Sequence, residues 1–177
     1  MTWTLIIDTA EEELRVGLGE ETLQWQEIVP PAPPRHRPRH GSLLAPLVAQ
    51  GLQACGIPPS RLGRIGVVRG PGSFTGLRIG LSFVQGLALA LKIPVAAPLL
   101  LQVKAWAAME KGQGKGGRLL LFQPAGRGKG FFALYDYPGA HPVNQGVEEG
   151  TLEEARAKAK LEKAEFFTDP QEGEDLL

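Results

Sequence analysis

Cysteine occurs once in the 177 residues, at Cys55, so no internal disulfide can hold this chain together. Folding must rest on apolar burial, and the length suffices for one good-sized core or two small ones. Cys55 falls on an apolar position of a helical pattern, which predicts a buried rather than a reactive thiol in a reducing setting. Net charge is lacking too: 19 basic and 19 acidic residues cancel. The whole-chain positive field that a stand-alone nucleic-acid binder uses is therefore missing, and any RNA is expected to be held by another subunit. Locally, Lys104, Lys111, Lys115, Arg118, Arg127 and Lys129 crowd one stretch, while the tail from Glu148 to Asp175 is mostly acidic. No stretch of about 18 apolar residues runs without charge, glycine or proline, and Met1 to Asp8 has no basic region before an apolar one. The expectation is a soluble, cytoplasmic protein with no membrane span.

What is present is an alternation of short strands and helices. Trp3 to Ile7 forms a nearly continuous apolar run, as a strand covered on both faces does, with Asp8 at its carboxyl end. Leu14 to Leu18 and Thr22 to Val29 read as two further strands of a meander. Five prolines between Pro30 and Pro38, interleaved with Arg35, His36 and Arg37, predict an extended loop. Ser42 can then cap a helix that carries Leu44, Leu47, Val48, Leu52 and Cys55 at helical spacing and stops at Gly56. Arg64 to Val68 is a fourth strand, a helix runs from about Gly76 to Leu91, and Ile93 to Ala97 is a fifth strand. Such a strand-helix-strand unit makes neighbouring strands parallel, which gives a mixed sheet with helices packed on it. Further along, the pattern predicts a helix over Leu99 to Met109 and strands over Arg118 to Gln123 and Phe131 to Tyr137. A helix is expected from Thr151, boxed with Glu154, and a last strand over Ala164 to Thr168.

The chemistry-bearing motif is the run Arg69-Gly70-Pro71-Gly72-Ser73-Phe74-Thr75-Gly76-Leu77-Arg78-Ile79-Gly80. Glycines between a buried strand and a helix are where backbone amides can cradle an anion, so a phosphate site and a purely structural turn are both open readings. The run lacks the lysine and following serine or threonine of a P-loop, and it is not the dinucleotide fingerprint. His36 and His40 are four residues apart, as in helical zinc sites, but Pro38 between them breaks the helix and no general-base glutamate accompanies them, so no metal site is expected.

This string, followed by Gly86-Leu87-Ala88 and Ile93-Pro94, resembles the signature of the TsaB (YeaZ-type) family. The likeness extends to Ile7-Asp8-Thr9 and to His40-Gly41-Ser42-Leu43-Leu44-Ala45-Pro46, and covers roughly the first hundred residues. It implies an α/β fold of the actin, sugar kinase and Hsp70 type, built from two ribonuclease-H-like lobes with mixed sheets. Here the lobes are expected at 1–97 and, reduced and ending in an acidic tail, at 98–177. It further implies a non-catalytic subunit for making threonylcarbamoyladenosine on tRNA. Its partners would be a larger catalytic paralogue (TsaD type), which carries metal and nucleotide, and a small ATPase (TsaE type). Alone, the chain would be a homodimer. It would meet tRNA only indirectly and have no cofactor of its own, with nucleotide possible at the seam with its partner. Departures are visible: Asp8-Thr9 runs into Ala10 where the family usually has serine, and Pro124-Ala125-Gly126-Arg127 stands where it usually has Asp-Ala-Arg.

Two other function classes remain as readings of the residues. A phosphotransferase or ATPase would use Asp8, with Thr9, and the Gly70 to Gly76 turn. Against it, Glu11, Glu12 and Glu13 repel a triphosphate, and no second aspartate-glycine turn of the kinase kind is present. Asp8 and Thr9 then read as a vestigial ligand site. A stand-alone homodimeric binding module is the other. For a partner subunit the pointer is the helix after the signature, which is apolar almost all round apart from Arg78, Ser82, Gln85 and Lys92, so it must be covered on more than one side. Leu44, Leu47 and Val48 of the first helix and Leu77, Leu81 and Val84 of the second are its candidate interface residues, with Gly76, Gly80, Gly86 and Ala88 allowing close helix approach.

Overall fold

A computed structural model describes residues 2–33, 40–114, 117–137 and 143–168. The centre of the proline-rich loop (Arg35, His36, Arg37, Pro38 and Arg39 included), Lys115 and the acidic tail from Asp169 lie outside the described residues. Contacts divide the chain into two units, Met1–Pro98 and Leu99–Leu177.

In the first unit the meander β1 (Trp3–Asp8), β2 (Leu14–Gly19) and β3 (Leu23–Val29) is antiparallel, while β4 (Leu62–Val67) and β5 (Val95–Ala96) add in parallel, giving the order β3-β2-β1-β4-β5. Two helices, α1 (His40–Ala54) and α2 (Phe74–Leu91), contribute to the core on the sheet. Leu5, Ile7, Leu14, Val16, Leu18, Ile65 and Val67 meet Leu44, Leu47, Val48, Leu52 and Val84 there. Each such buried side chain is worth about 1.5–3 kcal/mol relative to exposure, so this packing dominates the unit's stability. Cys55 is half-buried at the rim of this core, and loss of water pushes its thiol pKa up. α1 begins at His40, so Ser42 lies inside the helix and does not cap it. Pro46 also sits within α1, on its exposed side, where water can serve the carbonyl that proline leaves without a donor.

The second unit repeats the first. Strand β6 (Arg118–Gly126) pairs antiparallel with β7 (Lys129–Asp136), β7 with β8 (Val143–Thr151), and β9 (Glu165–Thr168) adds parallel to β6, so the order is β8-β7-β6-β9. Strand order 3-2-1-4 thus occurs in both sheets, with α4 (Leu152–Leu161) as the crossover in the second. This is the mixed-sheet α/β fold of two ribonuclease-H-like lobes, the second reduced to four strands against five. Helix α3 (Leu100–Glu110) packs with Leu119, Leu121, Ala133 and Tyr135, and α4 with Leu120, Phe122, Phe132 and Leu134. The continuous apolar run of β6 follows from burial on both faces. The capping box at Thr151 and Glu154 forms as expected.

The Tyr135 hydroxyl is buried with no hydrogen-bond partner among the described residues. Burial first, then the charge of Tyr137, holds its pKa well above the ordinary 10. A raised folded pKa makes stability full below pH 10 and progressively lost as pH climbs beyond it. Thermal unfolding from pH 8 to 11 should show that loss, and Tyr135→Phe should flatten it while adding about 1 kcal/mol at neutral pH.

Candidate functional site

The carboxyl end of β1 leads into a loop that folds back on its own charges. Asp8 Oδ1 accepts from the Ala10 amide at 2.9 Å, and Arg15 reaches Asp8 Oδ2 at 3.4 Å, Glu11 Oε2 at 3.0 Å and Glu13 Oε2 at 2.6 Å. Burial works against the Arg15 charge, but Glu11, Asp8 and Glu13 together outweigh it and raise the guanidinium pKa further. Glu11 and Glu13, two of the three glutamates expected to repel a triphosphate, are therefore gathered with Asp8 around one arginine of the same sheet. Arg15→Gln should lower stability by about 1 kcal/mol, since the side chain is partly exposed, and urea unfolding should show the deficit shrinking as salt screens the three carboxylates.

Against this loop lies the glycine-rich turn. Gly70 has a φ of +103°, a conformation that disfavours a side chain, and Ser73 caps α2 by accepting from the Gly76 amide at 3.2 Å. The Ser73 amide donates to the Ala10 carbonyl at 2.7 Å. Among the turn's possible anion donors, the Ser73 and Gly76 amides are thus already engaged. Gly72, Gly76 and Gly80 form the face that meets the loop: a Cβ on them would overlap the Ala10 carbonyl, the Thr9 carbonyl and the Thr9 Oγ1 respectively. Thr9 is fully buried here, and its hydroxyl has no hydrogen-bond partner among the described residues. His40, at the start of α1, is buried beside them, and its Nε2 lies 2.9 Å from the Glu12 carbonyl as donor.

These contacts fix which side of α2 faces out. Only Gly76, Gly80 and Val84 are buried, while Phe74, Leu81 and Leu89 are exposed by 74%, 37% and 79%. Arg78 lies over the Phe74 ring at 5.6 Å, and Ser82, Gln85, Gly86 and Ala90 are exposed along the same helix. A Cβ at Gly86 would meet nothing within 4 Å. On α1, Ser42, Ala45, Pro46 and Ala49 are likewise exposed. α2 is long and apolar enough to cross a membrane by length and composition, yet it packs on β4 and α1 as an element of the first unit.

Several expected site residues take other roles. Leu44, Leu47, Val48 and Val84 are core side chains, not interface ones, because the sheet's own apolar face claims them. Gly76 and Gly80 serve the approach of the Thr9 loop, not of another helix. Leu77 is half-buried, and Leu81 is open. Arg69 is exposed, with its amide on the Pro98 carbonyl. Pro71 is half-buried, while Ser73 and Thr75 are exposed. The apolar pattern of α2 alone does not mark Phe74 and Leu89 as surface residues, whereas taking Gly76 and Gly80 as the inward stripe of a helical wheel turns both outward.

Similarity to known proteins agrees with this arrangement. Residues 28–140 match the family model of TsaD, tRNA N6-adenosine threonylcarbamoyltransferase. The tRNA threonylcarbamoyladenosine biosynthesis protein TsaB of Bacillus subtilis is 32% identical over 133 residues, 75% of this chain and 55% of the relative. That of Escherichia coli is 35% identical over 108 residues, 60% and 44% respectively. The chain thus spans about half the length of the curated relatives it matches. The structure of YeaZ from Pseudomonas aeruginosa superposes with a TM-score of 0.69 at 32% identity, covering 86% of this chain and 68% of that one. Sequence, signature turn and fold agree, and the chain belongs to the TsaB/YeaZ family.

Proposed function

We propose that this chain is a non-catalytic, activating subunit of the bacterial machinery that makes threonylcarbamoyladenosine on tRNA, acting in the cytoplasm. The observation that carries the reading is the open side of α2, where Phe74, Leu81 and Leu89 stand exposed on a helix whose inner side is fixed by Gly76, Gly80 and Val84. A relative of the same fold, the larger catalytic paralogue of TsaD type, covers that side together with the small outward residues of α1. About 800 Å² per partner would make a standard interface. The small ATPase of TsaE type joins this pair, and without the paralogue the same side closes on a second copy. Nucleotide, where present, sits at the seam with the partner, since Asp8 is engaged by the Ala10 amide and Arg15 and the Ser73 and Gly76 amides are taken.

Mixing the purified chain with the paralogue and following co-elution tests this. A complex that replaces the homodimer is the expected result, and persistence of the homodimer with no complex, even with nucleotide present, overturns it. Calorimetry with ATP and magnesium separates the enzyme reading: turnover by the chain alone that Asp8→Ala abolishes would establish a phosphotransferase.

A further inference from the structure

We propose that the tip of the β6–β7 hairpin, Gly126-Arg127-Gly128-Lys129, is a contact for the phosphate backbone of RNA. The strands run further than their sequence suggests and close through only two residues, Arg127 and Gly128, with φ values of +55° and +71°. Positive φ at both central positions is the tight hairpin turn that favours asparagine, aspartate or glycine, so an arginine there is held in a conformation its Cβ disfavours. The turn itself therefore gains nothing from an arginine at this position. Among the described residues Arg127 makes no hydrogen bond or ion pair. Residues 125–129 are all exposed, and a Cβ at Gly126 or Gly128 would meet nothing within 4 Å, so nothing in the chain shields the tip.

The second cation, Lys129, is loosely held. Its Nζ lies 4.0 Å from Glu149 Oε1, with both side chains about two-thirds exposed, a pair that a phosphate can replace. The neighbouring acids Glu148 and Glu154 are engaged, by Lys158 and by the Thr151 cap. A guanidinium fork takes two phosphate oxygens at once, a lysine adds a mobile point charge, and the glycines leave the approach clear. Pro124 and Gly126 bring no charge of their own to oppose an anion. With no net charge on the chain, the attraction is local and salt-sensitive, suited to adding one contact to an RNA held mainly by a partner. The choice of RNA over other polyanions rests on the proposed function.

The test is a titration of the isotope-labelled full chain with an RNA anticodon stem-loop at low ionic strength, followed by amide chemical shifts. It uses the chain alone, so its outcome is independent of whether the paralogue binds. Shifts should centre on residues 126–130. Arg127→Gly should weaken binding roughly fivefold and flatten the log-affinity against log-salt slope by about 0.7–0.9. The same variant should unfold about 2–4 °C higher, because glycine suits the turn, which separates lost contact from lost fold. Absence of shifts at the tip, or unchanged affinity in Arg127→Gly, overturns the proposal. So does a stronger response to poly-glutamate than to RNA, which would point to an acidic protein partner instead.

Discussion

Gly76→Ala should destabilise the first unit by about 3 kcal/mol, whereas Gly86→Ala, the same substitution further along the same helix, should stabilise it by about 1 kcal/mol. Helix propensity favours alanine at both positions, though less in the first turn at Gly76, so it cannot give opposite signs. Surroundings decide. At Gly76 the new methyl would overlap the Thr9 carbonyl and stand 3.4 Å from His40 Nδ1. The obstruction is backbone at the end of a central strand, and it can move only by shifting β1 or lifting α2 from the sheet. At Gly86 the space is empty, and the gain in propensity is retained. Urea unfolding of the two variants beside the parent checks the pair. Equal effects of one sign would mean that α2 does not press on the Asp8 loop.

The second large effect is on association. Leu89→Arg should weaken binding to the larger paralogue by about a hundredfold, as removing an interface hot spot of about 3 kcal/mol does, while leaving the thermal midpoint of the isolated chain unchanged. Leu89 is 79% exposed, so a charge there costs the free chain nothing it does not already leave in water. Val84→Arg behaves differently, because Val84 is buried among Leu5, Ile65 and their neighbours, and an uncompensated charge in that place unfolds the unit. Leu81→Arg falls between, with partial exposure and a smaller loss of binding. Surface-capture kinetics with the immobilised paralogue, read with melting curves of the free variants, distinguish the three. A Leu89→Arg chain that binds as tightly as the parent would move the interface elsewhere.

The same wheel of α2 explains what was legible in the sequence. The strands of the first meander, the signature turn and the cap at Thr151 announced themselves by apolar runs, glycine punctuation and a serine or threonine ahead of a helix. The direction of α2 did not, because leucine and valine occur on nearly every side of it and composition alone does not say which side the sheet takes. The two glycines that meet Thr9 do say so, but only once Asp8-Thr9-Ala10 is known to fold under the helix. For the same reason Leu44, Leu47 and Val48 read as interface residues in the sequence, whereas the sheet claims them for the core. Strand β8 was illegible: Asn144, Glu148, Glu149 and Gly150 are poor strand formers that pairing with β7 holds extended, and Gly146 falls at an irregularity in the register. In the sequence, the glutamates alone make the Asp8 loop hostile to phosphate. Arg15 changes the reason, since it gathers Asp8, Glu11 and Glu13 into ion pairs, and the Ser73 and Gly76 amides of the turn are spent on the Ala10 carbonyl and the Ser73 hydroxyl.

The proposed role is support of threonylcarbamoyl transfer through the surface of this chain and not through chemistry of its own. Reconstituted modification of tRNA, with the paralogue, the small ATPase and the activated threonylcarbamoyl donor supplied, tests it most directly. Product formation should require this chain, persist in Asp8→Ala and fall with Leu89→Arg in proportion to lost binding. Modification that proceeds equally well without the chain, or that Asp8→Ala abolishes while the complex still forms, would contradict the account.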